Sequence, residues 1–519
     1  MPRLNVFRYL ISAFFISIFA VTGASAAAVR TEVEVDRPVV LAGEDIPVYV
    51  LVRFEVPEQS AAVDKERPPL NIALVLDRSG SMEAAGKLPY LKAAAKTMLG
   101  RMTPRDRLAI IEYDDRVTVA WPSAPVESPA LIAKVIDALE PRGNTDLVGG
   151  MLAGVAQVHG NFKEASINRV LLLSDGLANE GVTNPAEIRK LVRQAKKKGV
   201  PVTTLGLGLE YDEDLMQDIA EYSGGAYYYI ENPKQSVSVF QREISTLFKT
   251  AARDVDIRFT PGELVKGVQV FGYASRTDGG ATVVEFSDFH SGEQRTLVMR
   301  LELKGGGAGP ASLGVLDFSY DDVAGGTRAE QTEELVVEVT RDADAVRHAT
   351  NRETVVVAAL AEADAEHEAS LRLLDAGNWK EAEEKLEKLA SHLTARNADI
   401  GDIRLAKKIE ALTIENSSVI SAGAAPAAAS SMMYMKRSKQ RLYQAGKGQR
   451  GLSMLQSGDS GSAVERLQRA MKDAGQYSGP VDGDYSDDLE DAVRSYQSDN
   501  NLTSDGVAGP ATLDALGLY

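Results

Sequence analysis

Between residues 70 and about 248 the hydrophobic pattern alternates between two periods, and that alternation limits the fold more than any other feature of this chain. Short apolar runs occur at 71–76, 108–113, 170–173 and 202–207. Between them lie helix-period faces. Leu88, Leu91, Ala95, Met98 and Met102 form one, and Ile188, Leu191, Val192 and Ala195 form another, with Pro185 near its start and Gly199 just past its end. Strands alternating with amphipathic helices predict a parallel sheet covered on both faces. Residues 116–121 follow Tyr113 after only Asp114-Asp115, so they are expected as a hairpin partner at the sheet edge.

The flanks read differently. In 29–58, Val48, Val50, Val52, Phe54 and Val56 alternate with Tyr49, Leu51, Arg53 and Glu55, the period of a strand. Residues 253–345 return to strand patterns broken by Gly-rich turns such as Asp278-Gly279-Gly280, and read as a β-sandwich. The strands of 29–58 need partners that this later region can supply. The expected architecture is a Rossmann-like α/β domain over 70–248, inserted in or flanked by a sandwich drawn from both sides.

Residues 350–420 are mainly helical. Asp375-Ala376-Gly377-Asn378 reads as the turn of a helical hairpin, and Gly377-Asn378-Trp379-Lys380-Glu381-Ala382 resembles part of a tetratricopeptide repeat. No second copy follows, so a packing hairpin is expected and not a solenoid. Residues 421–451 are Ala/Ser-rich and then basic, with Lys436, Arg437, Lys439, Arg441, Lys447 and Arg450 and no acid. They read either as a flexible, solvated linker or as a basic strap for anionic wall polymers or for the acidic body of the same chain. Residues 452–519 form a small acidic module expected to hold three helices. Val464, Leu467 and Met471 lie on one helix face and Leu489, Val493 and Tyr496 on another, with turns at Asp482-Gly483 and Asp505-Gly506.

The first 26 residues read as an address. Arg3 and Arg8 precede a mostly apolar run over 9–21, followed by Ala24-Ser25-Ala26. A basic start, a short apolar stretch and an A-x-A end predict a secretory signal peptide cut after Ala26, the alternative being an uncleaved anchor. The run is shorter than the roughly 20 residues a spanning helix needs. Cleavage removes two positive charges, taking the net charge from −17 to −19. Such an acidic chain repels nucleic acid and anionic lipid, and neither is expected as a partner. There is no Cys, which excludes disulfides, thiolate nucleophiles and cysteinyl metal sites, and the five His are scattered. Export across the inner membrane to the periplasm or cell wall is the expected location, with stability drawn from large cores.

The chemistry gathers at strand ends. The first α/β strand runs into Asp77-Arg78-Ser79-Gly80-Ser81, the strand 170–173 into Ser174-Asp175-Gly176, and Gly143-Asn144-Thr145-Asp146 opens a helix between them. All three belong at the carboxyl edge of the sheet, where open α/β folds bind ligands. Two carboxylates, two serine hydroxyls and a threonine hydroxyl make an all-oxygen set, suited to a hard divalent cation and not to zinc or copper. Neutral hydroxyls leave the cation electron-poor, so an Asp or Glu from another molecule can complete its coordination.

These residues resemble the von Willebrand factor type A domain and its metal-ion-dependent adhesion site, whose motif is matched at Asp77, Ser79, Ser81, Thr145 and Asp175. The resemblance implies that Ser79, Ser81 and Thr145 are direct ligands of Mg2+, with Ca2+ or Mn2+ as alternatives. It implies that Asp77 and Asp175 bind directly or through water. Asp146 reads as a helix-start acid or as a support to the ligands. The flanking β segments look similar, loosely, to the arrangement in inter-α-trypsin-inhibitor-like and secreted calcium-activated-channel-like proteins. Gly461, Val464, Leu467-Gln468, Gly475, Asp482-Gly483-Asp484-Tyr485, Tyr496-Gln497, Asp505-Gly506-Val507 and Gly509-Pro510 resemble the type 1 peptidoglycan-binding domain. With twelve acids and four bases that module carries −8, which opposes an anionic glycan peptide, so a module that only packs is the alternative.

The expected function is an exported cell-envelope binding protein. Its α/β domain grips a partner protein's carboxylate through a metal, in adhesion or scaffolding, while its tail holds peptidoglycan. The alternatives are a periplasmic assembly factor and an enzyme acting on the wall. No catalytic residue is expected, since no nucleophile and base stand out.

Overall fold

The computed structural model describes residues 17–18, 28–57, 67–230, 233 and 236–423, then 432, 435, 436, 438, 439, 442, 443, 447, 455–457, 459, 462–500, 502, 504, 506–516 and 518. Apart from 17–18, the expected leader lies outside these residues, as does most of the linker over 59–69.

The α/β domain has the sheet order β10-β9-β8-β5-β6-β7. Its strands are β5 (Leu70–Asp77), β6 (Arg107–Tyr113), β7 (Val117–Pro125), β8 (Ile167–Ser174), β9 (Val202–Leu207) and β10 (Tyr227–Ile230). All pairs are parallel except the β6–β7 hairpin at the edge. Strands β5 and β8 are buried at every position, as central strands covered on both faces must be. Helices α1 (Lys87–Leu99), α2 (Pro129–Asp137) and α6 (Ser236–Phe248) close one core, and α3 (Leu147–His159), α4 (Pro185–Lys197) and α5 (Glu213–Ser223) close the other.

Strands from before and after this domain share sheets. One sheet runs β1-β2-β4-β16-β12, from Ser17–Ile18, Arg30–Val35, Pro47–Glu55, Gln294–Leu303 and Val265–Phe271. There β4 pairs antiparallel with β16 over nine residues, from Glu55 against Gln294 to Pro47 against Glu302. The second sheet runs β13-β14-β11-β17-β18-β3, from Ser275–Asp278, Ala281–Glu285, Thr250–Pro261, Gly309–Asp322, Thr327–Thr340 and Val39–Leu41, with β15 (Phe289–His290) beside β11. The inner faces meet in one core, where Phe54 contacts Phe286, Phe289 and Phe318 at ring separations of 5.0–5.5 Å. Buried Arg169 of the α/β domain pairs with Asp288 at 2.6 Å, which ties the domain to these sheets.

Two regions differ from expectation. Over 350–420 the hairpin is one part of a three-helix assembly: α8 (Arg352–Asp375), α9 (Trp379–Ile400) and α10 (Ile403–Gly423) share a core through Leu371, Leu386, Leu405 and Leu412. Gly401, at φ 66°, ends α9, and Ile403 starts another helix at once. A short α7 (Ala343–Ala349) precedes them. The second difference lies in 421–451, where a flexible linker was one expectation. The described residues there are helical, and Lys436, Lys439 and Lys447 are buried. They pair with acids of α5 and with Asp375, as the strap alternative anticipated.

The C-terminal module contains α11 (Ser462–Asp473), α12 (Asp487–Asp499) and α13 (Pro510–Ala515). Two buried glutamines hold its turns. Gln468 accepts from the Asp482 and Gly483 amides at 3.0 and 2.9 Å, and Gln497 accepts from the Gly506 amide at 2.9 Å. Gly483 and Gly506 sit at φ 78° and 76°, so glycine serves the turn as expected.

Candidate metal centre

The first strand of the sheet delivers Asp77 at its last residue, buried at 0% exposure. Its Oδ1 accepts from the Ser79 amide at 2.8 Å, which folds the chain back so that Ser79 and Ser81 face the same side. Their hydroxyls stand 3.0 Å apart. Strand β8, the neighbour of β5, delivers Asp175 just past its end. Asp175 Oδ1 lies 2.7 Å from Ser81 Oγ and 3.5 Å from Ser79 Oγ.

Thr145 arrives from a third loop. The Gly80 amide donates to the Gly143 carbonyl at 3.2 Å, joining that loop to the serines. Gly143 has φ 71°, and a Cβ there would meet Asp115 Oδ1 at 2.4 Å, so the position requires glycine. Helix α3, which follows Thr145, lies tight on the sheet because Gly150 and Gly154 face Tyr113 and Val75; a Cβ on either would come within 2.8 Å of them. A Cβ built on Gly176 would be 3.5 Å from Thr145 Oγ1 and 3.6 Å from Ser81 Oγ, so both hydroxyls face one spot.

Of the five residues singled out in the sequence, Ser79, Ser81, Thr145 and Asp175 therefore surround one space, and Asp77 lies beneath it. Asp77 Oδ2 accepts from Ser174 Oγ at 2.9 Å and lies 3.3 Å from the Tyr113 hydroxyl. Burial, and then the charge of Asp175, push the Asp77 carboxyl up to about 6. A buried carboxylate in that state is one a cation would relieve. Among the described residues no three His, Asp or Glu side chains gather to hold a metal. The oxygen set here depends on hydroxyls, and it fits a hard divalent ion.

Asp146 caps α3, its carboxylate accepting from the Gly149 amide at 2.9 Å, which is the helix-start role. One residue escaped the sequence reading. Lys87, the first residue of α1, places its ammonium 2.6 Å from Asp175 Oδ2 and leaves Oδ1 turned to the serines. Its signal was available, since a lysine opening the helix after the Asp-x-Ser-x-Ser turn is carried to the same sheet edge. The supporting network of Arg78 and Arg142 on Asp114, at 2.8 and 2.7 Å, was less legible, because Arg142 is distant in sequence.

In front of the centre lies a cleft of about 690 Å3. Ser79, Ser81 and Thr145 form part of its floor, and Leu177, Tyr211 and Met432 stand among its walls.

Comparison with known proteins bears on the domains and the fold. The von Willebrand factor type A domain model matches residues 71–242, and a peptidoglycan binding domain model matches 460–516. The uncharacterized protein YfbK of Escherichia coli is 30% identical over 278 residues, 52% of this chain and 47% of its own length. Inter-alpha-trypsin inhibitor heavy chain H4 of Bos taurus is 28% identical over 205 residues, 37% of this chain and 21% of its own. This chain thus spans less than half the length of either relative. Among solved structures, a von Willebrand factor type A protein from Catenulispora acidiphila superposes with a TM-score of 0.58 at 18% identity, covering 72% of this chain and 87% of its own. The ArnB paralog VWA2 from Sulfolobus acidocaldarius gives 0.54 at 18% identity, covering 80% and 98%. At such identities the likeness is one of fold. Residues 71–242 form a von Willebrand factor type A domain, and the same chain carries a peptidoglycan binding domain at 460–516.

Proposed function

We propose that this is an exported cell-envelope binding protein that grips a partner protein through a divalent cation and holds peptidoglycan through its tail. The observation that carries the proposal is the convergence of the Ser79 and Ser81 hydroxyls on Asp175 Oδ1 at the carboxyl edge of the sheet. Ser79, Ser81 and Thr145 would hold Mg2+ directly, and Asp77 and Asp175 directly or through water, with Ca2+ or Mn2+ as alternatives. When bound, the ion supplies an electrophilic point for a partner's Asp or Glu carboxylate.

The charges of this chain favour that use. Asp77 and Asp175 bring −2 and Lys87 +1, so the cage is −1 alone and +1 with a divalent ion. A net positive centre attracts a carboxylate from the partner. The reading has no catalytic step. No described helix is long and apolar enough to cross a membrane.

Affinity capture from an envelope extract, with Mg2+ and then with chelator, tests the grip. A partner retained in Mg2+ and released by chelator is the expected result. Retention that survives both chelator and Asp77→Ala would exclude the centre as the contact. Deleting 452–519 should free the protein from sacculi in co-sedimentation, and equal sedimentation of both chains would remove the anchoring role.

A further inference from the structure

The cleft before the metal centre is not built by the α/β domain alone. Met432, Met435 and Lys436, nearly 200 residues beyond that domain in sequence, line it together with Ser79, Ser81 and Thr145. We infer that this is a composite ligand cleft, in which Met432 and Met435 supply an apolar wall beside the metal centre. Its occupant is a protein segment carrying one carboxylate flanked by apolar side chains. The inference deepens the proposed function and rests on it.

Charge and packing hold the wall in place. Lys436 donates to the Tyr211 carbonyl at 3.0 Å, pairs with Glu213, and lies 4.1 Å from the Tyr211 ring centroid. Lys439 reaches Glu213 at 3.0 Å and Asp214 at 3.1 Å, and also pairs with Asp375 at the end of α8. Lys447 pairs with Glu221 at 2.9 Å and stands 4.6 Å from the Tyr273 ring centroid in the sandwich. One basic segment is thus fastened to the α/β domain, the helices and the sandwich. Burial alone would raise the Glu213 carboxyl, yet the ammonium groups of Lys439 and Lys436 outweigh it and hold Glu213 below its usual range. Lys439 and Lys447 are spent on docking, while Met432, Met435 and Lys436 line the cleft.

The cleft's own surface names the occupant. Leu177 is 58% exposed and Met432 36% exposed, two large apolar side chains left open beside a polar floor. Solvated apolar groups at the rim gain from covering by apolar neighbours, and unbranched methionine adapts to varied partners. The floor takes a carboxylate through the ion. A segment lacking either feature leaves one part of the cleft unmatched.

The test uses the full chain, Mn2+ followed by electron paramagnetic resonance, and blocked heptapeptides with a central Asp between leucines. The Asn-centred peptide and a glycine-flanked peptide are controls. The wild type should take up Mn2+ and then bind the Asp–Leu peptide roughly tenfold tighter than either control. Lys439→Glu, which unfastens the wall without touching the floor, should weaken the peptide roughly tenfold and leave Mn2+ affinity unchanged. Met432→Ala with Met435→Ala, which keeps the lysines, should weaken it by about fivefold. Peptide affinity equal in all three chains overturns the composite cleft while leaving the metal centre intact. Tighter binding by Lys439→Glu overturns it too, since the segment would then be a lid. Absence of Mn2+ uptake by the wild type overturns the metal reading, and this inference with it.

Discussion

Two buried carboxylates in this molecule meet opposite fates. Glu293, in the sandwich, is 1% exposed and lies 2.6 Å from Arg295 Nε, with His290 Nδ1 at 3.1 Å. Burial would raise its carboxyl, but Arg295 and His290 overcome this and bring it down to about 2. Asp77, in the α/β domain, is as buried, yet it receives a backbone amide and a serine hydroxyl in place of a cationic partner, and its carboxyl stands at about 6. The sandwich carries its own counter-charge and so uses the acid for stability. The α/β domain leaves one acid short of positive charge, the condition that the divalent cation of the proposed function would relieve.

The contrast can be broken by substitution. Glu293→Gln leaves Arg295 buried beside a neutral amide and should cost about 3–5 kcal/mol in urea denaturation. Asp77→Asn should act with the opposite sign in chelator, stabilising the metal-free chain by up to about 3 kcal/mol at pH 7, because a penalised charge disappears. The same variant should weaken Mn2+ binding on the order of 100-fold. If both substitutions destabilise the metal-free chain equally, the two acids are alike and the distinction is lost.

Acid titration sharpens the same point. The native Glu293 carboxyl lies below its usual 4.5, so its contribution is present above pH 4.5 and is lost as pH falls towards 2. The native Asp77 carboxyl lies above its usual 3.8, so its penalty is full above pH 6 and fades as pH falls towards 3.8. In chelator, the stability difference between wild type and Asp77→Asn should therefore shrink between pH 6 and 4, while that for Glu293→Gln stays constant until lower pH. Parallel pH curves for the two differences would contradict this. The smallest expected effect belongs to Asp146→Ala, which removes the cap of α3 and should cost about 1 kcal/mol in thermal melting, without the sign reversal of Asp77→Asn.

Much of the centre was readable in advance because its parts are local. Asp77, Ser79 and Ser81 sit on one turn, and the strand that delivers them is fixed by its apolar run. Thr145 and Asp175 follow from the rule that parallel strands present their carboxyl ends together. The edge hairpin was equally local: β7 starts four residues after β6 ends. The third long helix was missed for the opposite reason. Residues 350–420 show helical periodicity throughout, and the break at Gly401-Asp402 carries no proline or long polar loop to mark a new element.

Other features depend on pairs that no window of sequence contains. The basic stretch over 421–451 has a composition that serves a solvated linker and a docked strap equally well. The difference lies in whether acids from elsewhere assemble a surface for it, as Glu213, Asp214, Glu221 and Asp375 do. Likewise nothing local tells that Arg169 meets Asp288, or which of the later strands pairs with β4, although pairing across the intervening domain was expected. Periodicity and short motifs act over a few residues, so the chain alone specified most of its elements, the carboxyl edge and the oxygen set expected there. Charge pairing and burial act through space, so the counter-ions of each acid and the far wall of the cleft emerged only once the elements had packed.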